Sequence, residues 1–287
     1  MKGKVVVITG SNVGIGKETA VGLAAQGATT VLACRNQEKA ASAATEVRER
    51  AKNEDVHVLP IDLADLASVR DCATAILEKW DRVDVLVNNA GGILTERRTT
   101  KQGFEQTFGV NHLGPFYLTN LLLDRLVASA PARVVNLASV GHHYALRGIR
   151  WDDLQRERGY SAMDAYAQSK LANVLFTRAL ARRYPAKTLA AYAVHPGAVR
   201  SGFGLDGDLG GVYGFGNRLI RPFEVSAAVG ARTSIFVASD PSVADKSGGY
   251  WYHKRRGFPS RASRDDNAAE RLWTVSEKLL ADAGFPV

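Results

Sequence analysis

Tyr166 and Lys170 stand four residues apart in a stretch with helical spacing, residues 162–184. A helical turn of about 3.6 residues puts both side chains on one face, where they can act on one ligand. A phenol with an ordinary pKa near 10 is a poor base at neutral pH, but a close ammonium favours the phenolate and lowers that value. The pair could therefore give and take a proton, although a tyrosine and a lysine at this spacing are more often mere surface neighbours.

A second candidate is Thr9-Gly10-Ser11-Asn12-Val13-Gly14-Ile15-Gly16, which joins an apolar run to a helical stretch. Gly10 permits a tight turn, Gly14 lets a pyrophosphate approach the backbone, and Gly16 allows close helix packing; Ser11, Asn12 and Ile15 fill the loop. The helix N-terminus adds unpaired N–H groups and a positive dipole for the anion. Glycines alone are weak evidence, because turns use them for many reasons; the strand-turn-helix setting gives them weight. At the end of the next apolar run the chain reads Ala33-Cys34-Arg35-Asn36 where an acidic residue would meet a ribose hydroxyl. A guanidinium at Arg35 pairs instead with a 2′-phosphate and stacks on adenine, which selects NADP(H) over NAD(H), with Lys17 as further nearby positive charge. The bland alternative is a solvated arginine.

These residues need a frame. Residues 5–8 are Val-Val-Val-Ile without polar alternation, as in a strand covered on both faces of a parallel sheet. Strands are predicted at 5–8, 29–33, 56–61, 83–87, 134–137, 189–194 and 249–252. Helices are predicted between and after them, at 17–26, 38–52, 66–80, 104–126, 162–184, 226–238 and 266–281. Seven strands alternating with helices make an α/β doubly wound parallel sheet of Rossmann type with helices on both faces, one domain over residues 1–287. Residues 141–163 and the glycine-rich 197–223 break the rhythm after strands, where such sheets bind ligands, and are candidate substrate loops. For the second, a surface insertion is the plain alternative.

The 287 residues carry 37 Lys plus Arg against 29 Asp plus Glu, a surplus of +8 that tolerates anionic partners without demanding any. Only Cys34 and Cys72 occur, so a disulfide framework is excluded and no metal site is expected; a reducing cytoplasm is the simplest compartment. No apolar run approaches the roughly 20 residues of a membrane span.

Taken in order, Thr9–Gly16, Asp62-Leu63, Asn88-Asn89-Ala90-Gly91, Asn111, Ser139, Tyr166-Ala167-Gln168-Ser169-Lys170 and Pro196-Gly197 resemble the short-chain dehydrogenase/reductase family. The match runs over essentially the whole chain. The runs Val110-Asn111-His112-Leu113-Gly114 and Lys170-Leu171-Ala172-Asn173 look most like its retinol-dehydrogenase-type branch. The resemblance implies that Tyr166 is the acid in carbonyl reduction, or the base in alcohol oxidation, and that Ser139 hydrogen-bonds the reacting oxygen. It further implies that Lys170 lowers the Tyr166 pKa and binds the nicotinamide ribose, and that Asn111 holds a water linking Lys170 to solvent. For the cofactor it puts Asp62 and Leu63 at the adenine and Asn89, with Ala90 and Gly91, near the adenosine-side ribose. Pro196, Gly197, Val199 and Ser201 flank the nicotinamide.

The expected activity is NADP(H)-dependent hydride transfer with a small or medium apolar ketone, aldehyde or secondary alcohol. A non-catalytic nucleotide-binding regulator and an epimerase or dehydratase on the same fold are the alternatives. Ser139 and Tyr166 lie 27 residues apart, about twice the family's common spacing, and the additional chain 147–160 reads as substrate rim. The resemblance also implies a homodimer or homotetramer through helices 104–126 and 162–184. The hydrophobic anchor of membrane-bound relatives is missing at the start, so a soluble, cytoplasmic protein without a membrane or nucleic-acid partner is expected, and a retinoid is the less expected substrate. His142, His143 and His195 read as structural, and Lys254-Arg255-Arg256 as a solvated face.

Overall fold

The computed structural model describes residues 1–197 and 225–287. Most of the candidate loop 197–223, with Val199 and Ser201, therefore lies outside the described residues.

One eight-stranded sheet carries the fold. Its strands are β1 (Val5–Thr9), β2 (Thr29–Cys34), β3 (Val56–Pro60), β4 (Val85–Asn88), β5 (Ala132–Leu137), β6 (Leu189–Val194), β7 (Gly249–Tyr252) and β8 (Arg255–Arg256). They lie in the order β3-β2-β1-β4-β5-β6-β7-β8, parallel throughout except for the β7–β8 pair. The seven predicted strands are all present, and β8 is the addition: two exposed arginines offer no apolar run to read. They return on β7 because His253 and Lys254 adopt φ of 49° and 59°, the left-handed pair that closes a tight hairpin.

Every residue of β1 is buried, and alternate side chains leave on opposite faces. Val5 and Val7 enter a core with α3 (Leu66–Lys79), α5 (Gly114–Leu121), α7 (Ala162–Arg183) and α9 (Asp266–Asp282). Val6 and Ile8 enter a second core with α1 (Gly14–Ala24), α2 (Gln37–Ala51) and α8 (Ala227–Ser239). Each buried Val, Leu or Ile is worth about 1.5–3 kcal/mol, so the unbroken apolar strands favour the double covering. The doubly wound α/β class is confirmed.

The helix predicted at 104–126 is broken into pieces. Phe104 precedes the helix, and both carboxylate oxygens of Glu105 cap it, accepting the N–H groups of Thr107 and Phe108 at 2.7 Å each. A single turn, α4 (Gln106–Phe108), runs into a π-helical segment, Gly109–Leu113, before α5; α6 (Leu123–Ala128) follows a bend at Leu122. The legible sign was Pro115, which brings no N–H to the carbonyl of Asn111 four residues earlier.

The inserted residues 147–160 form a strap on α7. Arg156, buried with φ of 52°, donates to Gln168 Oε1 at 3.0 Å, which also accepts the Arg150 N–H at 3.0 Å. Tyr160 Oη donates to Leu94 O at 2.8 Å. The exposed apolar side chains beside this insertion, Val140, Tyr144 and Leu146, belong to the turn after β5 instead. Finally, α9 lies across α5 and α7: Trp273 packs on Phe116 at 5.0 Å and Phe176 at 5.8 Å between centroids, and Arg178 and Arg182 pair with Asp266.

Candidate active site

Strand ends bring the sequence-predicted residues together. The turn after β1 is held from β4: Asn89 Nδ2 donates to the carbonyls of Thr9 at 2.8 Å and Gly10 at 3.1 Å. Thr9 Oγ1 accepts the N–H groups of Asn89 and Ala90, both at 3.0 Å. Asn89 is thus spent on backbone and acts by shaping the loop, and Thr9, not singled out from sequence, works with it. A Cβ on Gly16 would lie 2.5 Å from the Gly10 carbonyl, and one on Gly10 would lie 2.9 Å from Ala90 Cβ, so the turn is as tight as backbone allows. Ser11 turns its hydroxyl inward to Ile8 O at 2.8 Å.

The residue before α1, Val13, is extended and supplies no capping side chain, and no acidic residue sits in the first turn. The first N–H groups of α1, from Gly14 and Ile15 on, are therefore left without a capping side chain, a donor set that fits a pyrophosphate. Arg35 is exposed just past β2, at the edge of this turn. Lys17 corrects its expected part: Nζ pairs with Glu46 at 2.5 Å, so its charge is largely spent within the protein. Past β3, Asp62 Oδ1 accepts the Ala64 N–H at 2.9 Å, while Leu63 packs in the core against Gly114.

The second cluster lies at the end of β5. Ser139 Oγ accepts the Gly141 N–H at 3.0 Å, which leaves its own O–H to donate, and it hydrogen-bonds Tyr166. A Cβ on Gly141 would approach Tyr166 Cε1 to 3.0 Å and Ser139 Oγ to 3.3 Å, so glycine lets the two side chains meet there. Sequence reasoning missed Gly141, although a glycine two residues after Ser139 was its signal. Lys170 Nζ lies 5.6 Å from the centre of the Tyr166 ring and donates to Leu137 O at 3.0 Å. Asn111 folds over them: its Nδ2 donates to Ser169 Oγ and Gly92 O, both at 2.9 Å, and its Oδ1 accepts the Gly92 N–H at 2.8 Å. A Cβ on Gly91 would lie 2.8 Å from Asn111 Oδ1 and 3.3 Å from Lys170 Nζ, which ties the β4 loop to this cluster.

Burial sets the electrostatics. It pushes the Tyr166 phenol above its ordinary value, and the hydrogen bond with Ser139 offsets only part of this. The sequence expectation of a lowered phenol is corrected: burial dominates, and Tyr166 holds its proton at neutral pH. Burial also pulls Lys170 down to about 8.

Two of the three histidines near the site are engaged in contacts within the protein. His142 Nδ1 donates to Ser139 O at 2.5 Å and its Nε2 accepts the Ser260 N–H at 3.0 Å, with burial holding it neutral near pKa 4. His195, also lowered to about 4 by burial, stacks on Tyr252 just before Pro196 and Gly197.

A glycine turn opening α1 at the centre of a doubly wound sheet, with a serine, tyrosine and lysine gathered two strands away, defines a nucleotide-dependent oxidoreductase class. The family model described as short chain dehydrogenase matches residues 4–150. Human retinol dehydrogenase 12 is 47% identical over 280 residues, covering 98% of this chain and 87% of that relative. Human retinol dehydrogenase 13 is 42% identical over 285 residues, 97% of this chain and 85% of its own. Among solved structures, an uncharacterized protein from Mycobacterium paratuberculosis superposes with a TM-score of 0.75 at 35% identity, covering all of this chain and 96% of its own. Levodione reductase gives 0.70 at 26% identity, with coverage of 87% and 95%. The chain belongs to the short-chain dehydrogenase family, and is thereby an oxidoreductase by kinship.

Proposed function

We propose that the protein is an NADP(H)-dependent oxidoreductase acting on a small or medium apolar ketone or aldehyde, or on the corresponding alcohol. The observation that carries this is the junction of Ser139, Tyr166 and Lys170 with the loop of Asn111 and Gly91. Exposed Arg35 past β2, in place of an acidic residue, supports NADP(H). The retinol in the names of the relatives is itself an apolar alcohol and supports the substrate class.

The dinucleotide, when bound, supplies or accepts the hydride. Gly10, Gly14, Ile15 and Gly16 with the start of α1 would hold its pyrophosphate, and Arg35 its 2′-phosphate. Asp62, Asn89 and Ala90 would border the adenosine half, and Pro196 and Gly197, with Val199 and Ser201, the nicotinamide. Tyr166, kept protonated by its burial, gives its proton to the carbonyl oxygen, while Ser139 Oγ donates a hydrogen bond to the same atom as charge develops on it. Lys170 stands beside the phenol, would hold the nicotinamide ribose and stabilises the phenolate left behind. Asn111 holds the loop end that closes over Lys170, and Pro115 leaves its carbonyl without one helical donor, a place for a relay water.

The cytoplasm is the proposed compartment, supported by Cys34 and Cys72 being unpaired thiols. A homodimer or homotetramer is proposed for the assembly, and because α9 covers α5 and α7 its interface would include α9; sedimentation measures it. The function is tested with a panel of apolar carbonyls followed at the nicotinamide absorbance with NADPH and with NADH. Reduction with NADPH preferred supports the reading. Tight nucleotide binding without oxidation by any carbonyl refutes it.

A further inference from the structure

Ser139 opens a turn with a single buried side chain. After β5 the chain runs through the 3₁₀ turn Val140–Tyr144, in which Gly141 and His142 are the buried residues. Glycine has no side chain to pack, His143 is exposed, and Val140 and Tyr144 are 51% and 65% exposed. His142, wholly buried, is the side chain that anchors the turn.

The anchor uses both ring nitrogens. Ser139 O can only accept, so His142 Nδ1, 2.5 Å away, carries the proton; the Ser260 N–H can only donate, so Nε2, 3.0 Å away, is the bare nitrogen. The ring rests on Tyr250 of β7 at 4.8 Å between centroids. Ser139 O also accepts the backbone N–H of His142 at 3.1 Å, but that bond closes the turn on itself, whereas the ring ties it to the segment beyond β8. Gly141, the residue before His142, gives its N–H to Ser139 Oγ at 3.0 Å. The anchor thus reaches the serine twice: at its carbonyl directly, and at its hydroxyl through the adjoining peptide. Burial keeps the ring neutral, so the bridge is intact at physiological pH. We propose that His142 is a positioning residue: held by Ser260, its imidazole fixes the Ser139 turn so that the serine hydroxyl meets the reacting oxygen beside Tyr166. This rests on the functional reading above only for the role of Ser139.

The test begins with the ring. In protein labelled with [¹⁵N]histidine, the His142 signal, assigned by its loss in His142→Phe, is expected to show the neutral Nδ1–H tautomer at pH 7. A ring protonated at Nε2 overturns the proposal whatever the variants do. His142→Phe keeps the ring without its nitrogens, and His142→Asn returns a donor near the position of Nδ1. In His142→Phe the Gly141 amide is expected to exchange with deuterated water at least about tenfold faster. With turnover, kcat for carbonyl reduction is expected to fall about tenfold, carbonyl KM and NADPH affinity to change less than about threefold, and His142→Asn to recover part of the loss. A double-mutant cycle separates action through Ser139 from general loosening: in Ser139→Ala, followed by single turnover, the same change is expected to cost less than about twofold. An equal loss in both backgrounds, or parental kcat in folded His142→Phe, overturns the proposal. If His142→Phe fails to fold, His142→Leu, which also lacks the nitrogens, takes its place. Absence of turnover in the parent chain would refute the enzymatic reading alone, because tautomer and amide exchange are independent of it; an unchanged Gly141 amide would then overturn the positioning too.

Discussion

Lys170 and Asn173, one turn apart on α7, donate to a single acceptor, the Leu137 carbonyl, each at 3.0 Å. That carbonyl ends β5, so the sheet itself sets the height of the ammonium beside Tyr166. A carbonyl is a dipole and not an anion, and it does not restore what burial removes: Lys170 sits near 8. A base with a lowered pKa loses its proton as pH rises through that value. Carbonyl reduction is therefore expected to be level below pH 8 and to decline above it, by up to about tenfold per pH unit. A kcat/KM profile with NADPH checks this; a rate rising through pH 8 would contradict the role of the ammonium.

Tyr166→Phe removes the proton donor and leaves the ring that packs over Gly141. Turnover is expected to fall by roughly 10²–10⁴, the usual worth of a placed general acid. NADPH affinity, measured by fluorescence titration, should change less than about threefold, since the pyrophosphate loop lies elsewhere. Retained turnover would move the acid to another residue.

Arg35→Ser tests the cofactor assignment separately from the chemistry. A charge-assisted hydrogen bond is worth about 1.5–3 kcal/mol, so kcat/KM with NADPH is expected to drop by roughly 10–100-fold while that with NADH stays close to the parent. Equal losses with both nucleotides would mean that Arg35 supports the turn and not a 2′-phosphate.

How far the sequence reached is visible at particular residues. The apolar strands were legible because both faces are covered, and Thr9–Gly16 because a tight turn between strand and helix leaves few residue choices. Helical spacing singled out Tyr166 and Lys170 without deciding between catalysis and a surface pair; their weight, and Ser139 itself, emerged from family resemblance, since the convergence joins β5 to α7 across 27 residues of chain. The direction of the Tyr166 shift was not legible: it depends on how completely the fold dries the phenol, and spacing reports only that an ammonium is near. Lys17 misled for a similar reason, as its partner Glu46 stands on the next helix, 29 residues on. The shared Leu137 carbonyl and the Ser276–His112 contact involve backbone or separations of up to 164 residues, which no local pattern encodes.

Asp84, just ahead of β4, ties the sheet's start together and gives a prediction independent of catalysis. Its carboxylate, 2% exposed, accepts from three residues: the Val5 N–H at 2.9 Å, Arg82 through Nε at 2.7 Å and Nη2 at 2.6 Å, and Lys4 Nζ at 2.8 Å. Burial alone would raise its pKa, but these three residues together outweigh burial and hold it below the ordinary value. Asp84→Asn keeps the shape yet turns an N–H₂ towards one of these donors. The expected cost at neutral pH is about 2 kcal/mol, less than for a wholly buried pair because Arg82 and Lys4 reach water. A carboxylate with a depressed folded pKa contributes stability that is present above its unfolded value near 3.9 and lost as pH falls through the folded one. The gap between parent and variant in urea unfolding should therefore be full at pH 7 and narrow below about pH 4; a gap of the same size at both would mean that the asparagine disturbs packing and not charge.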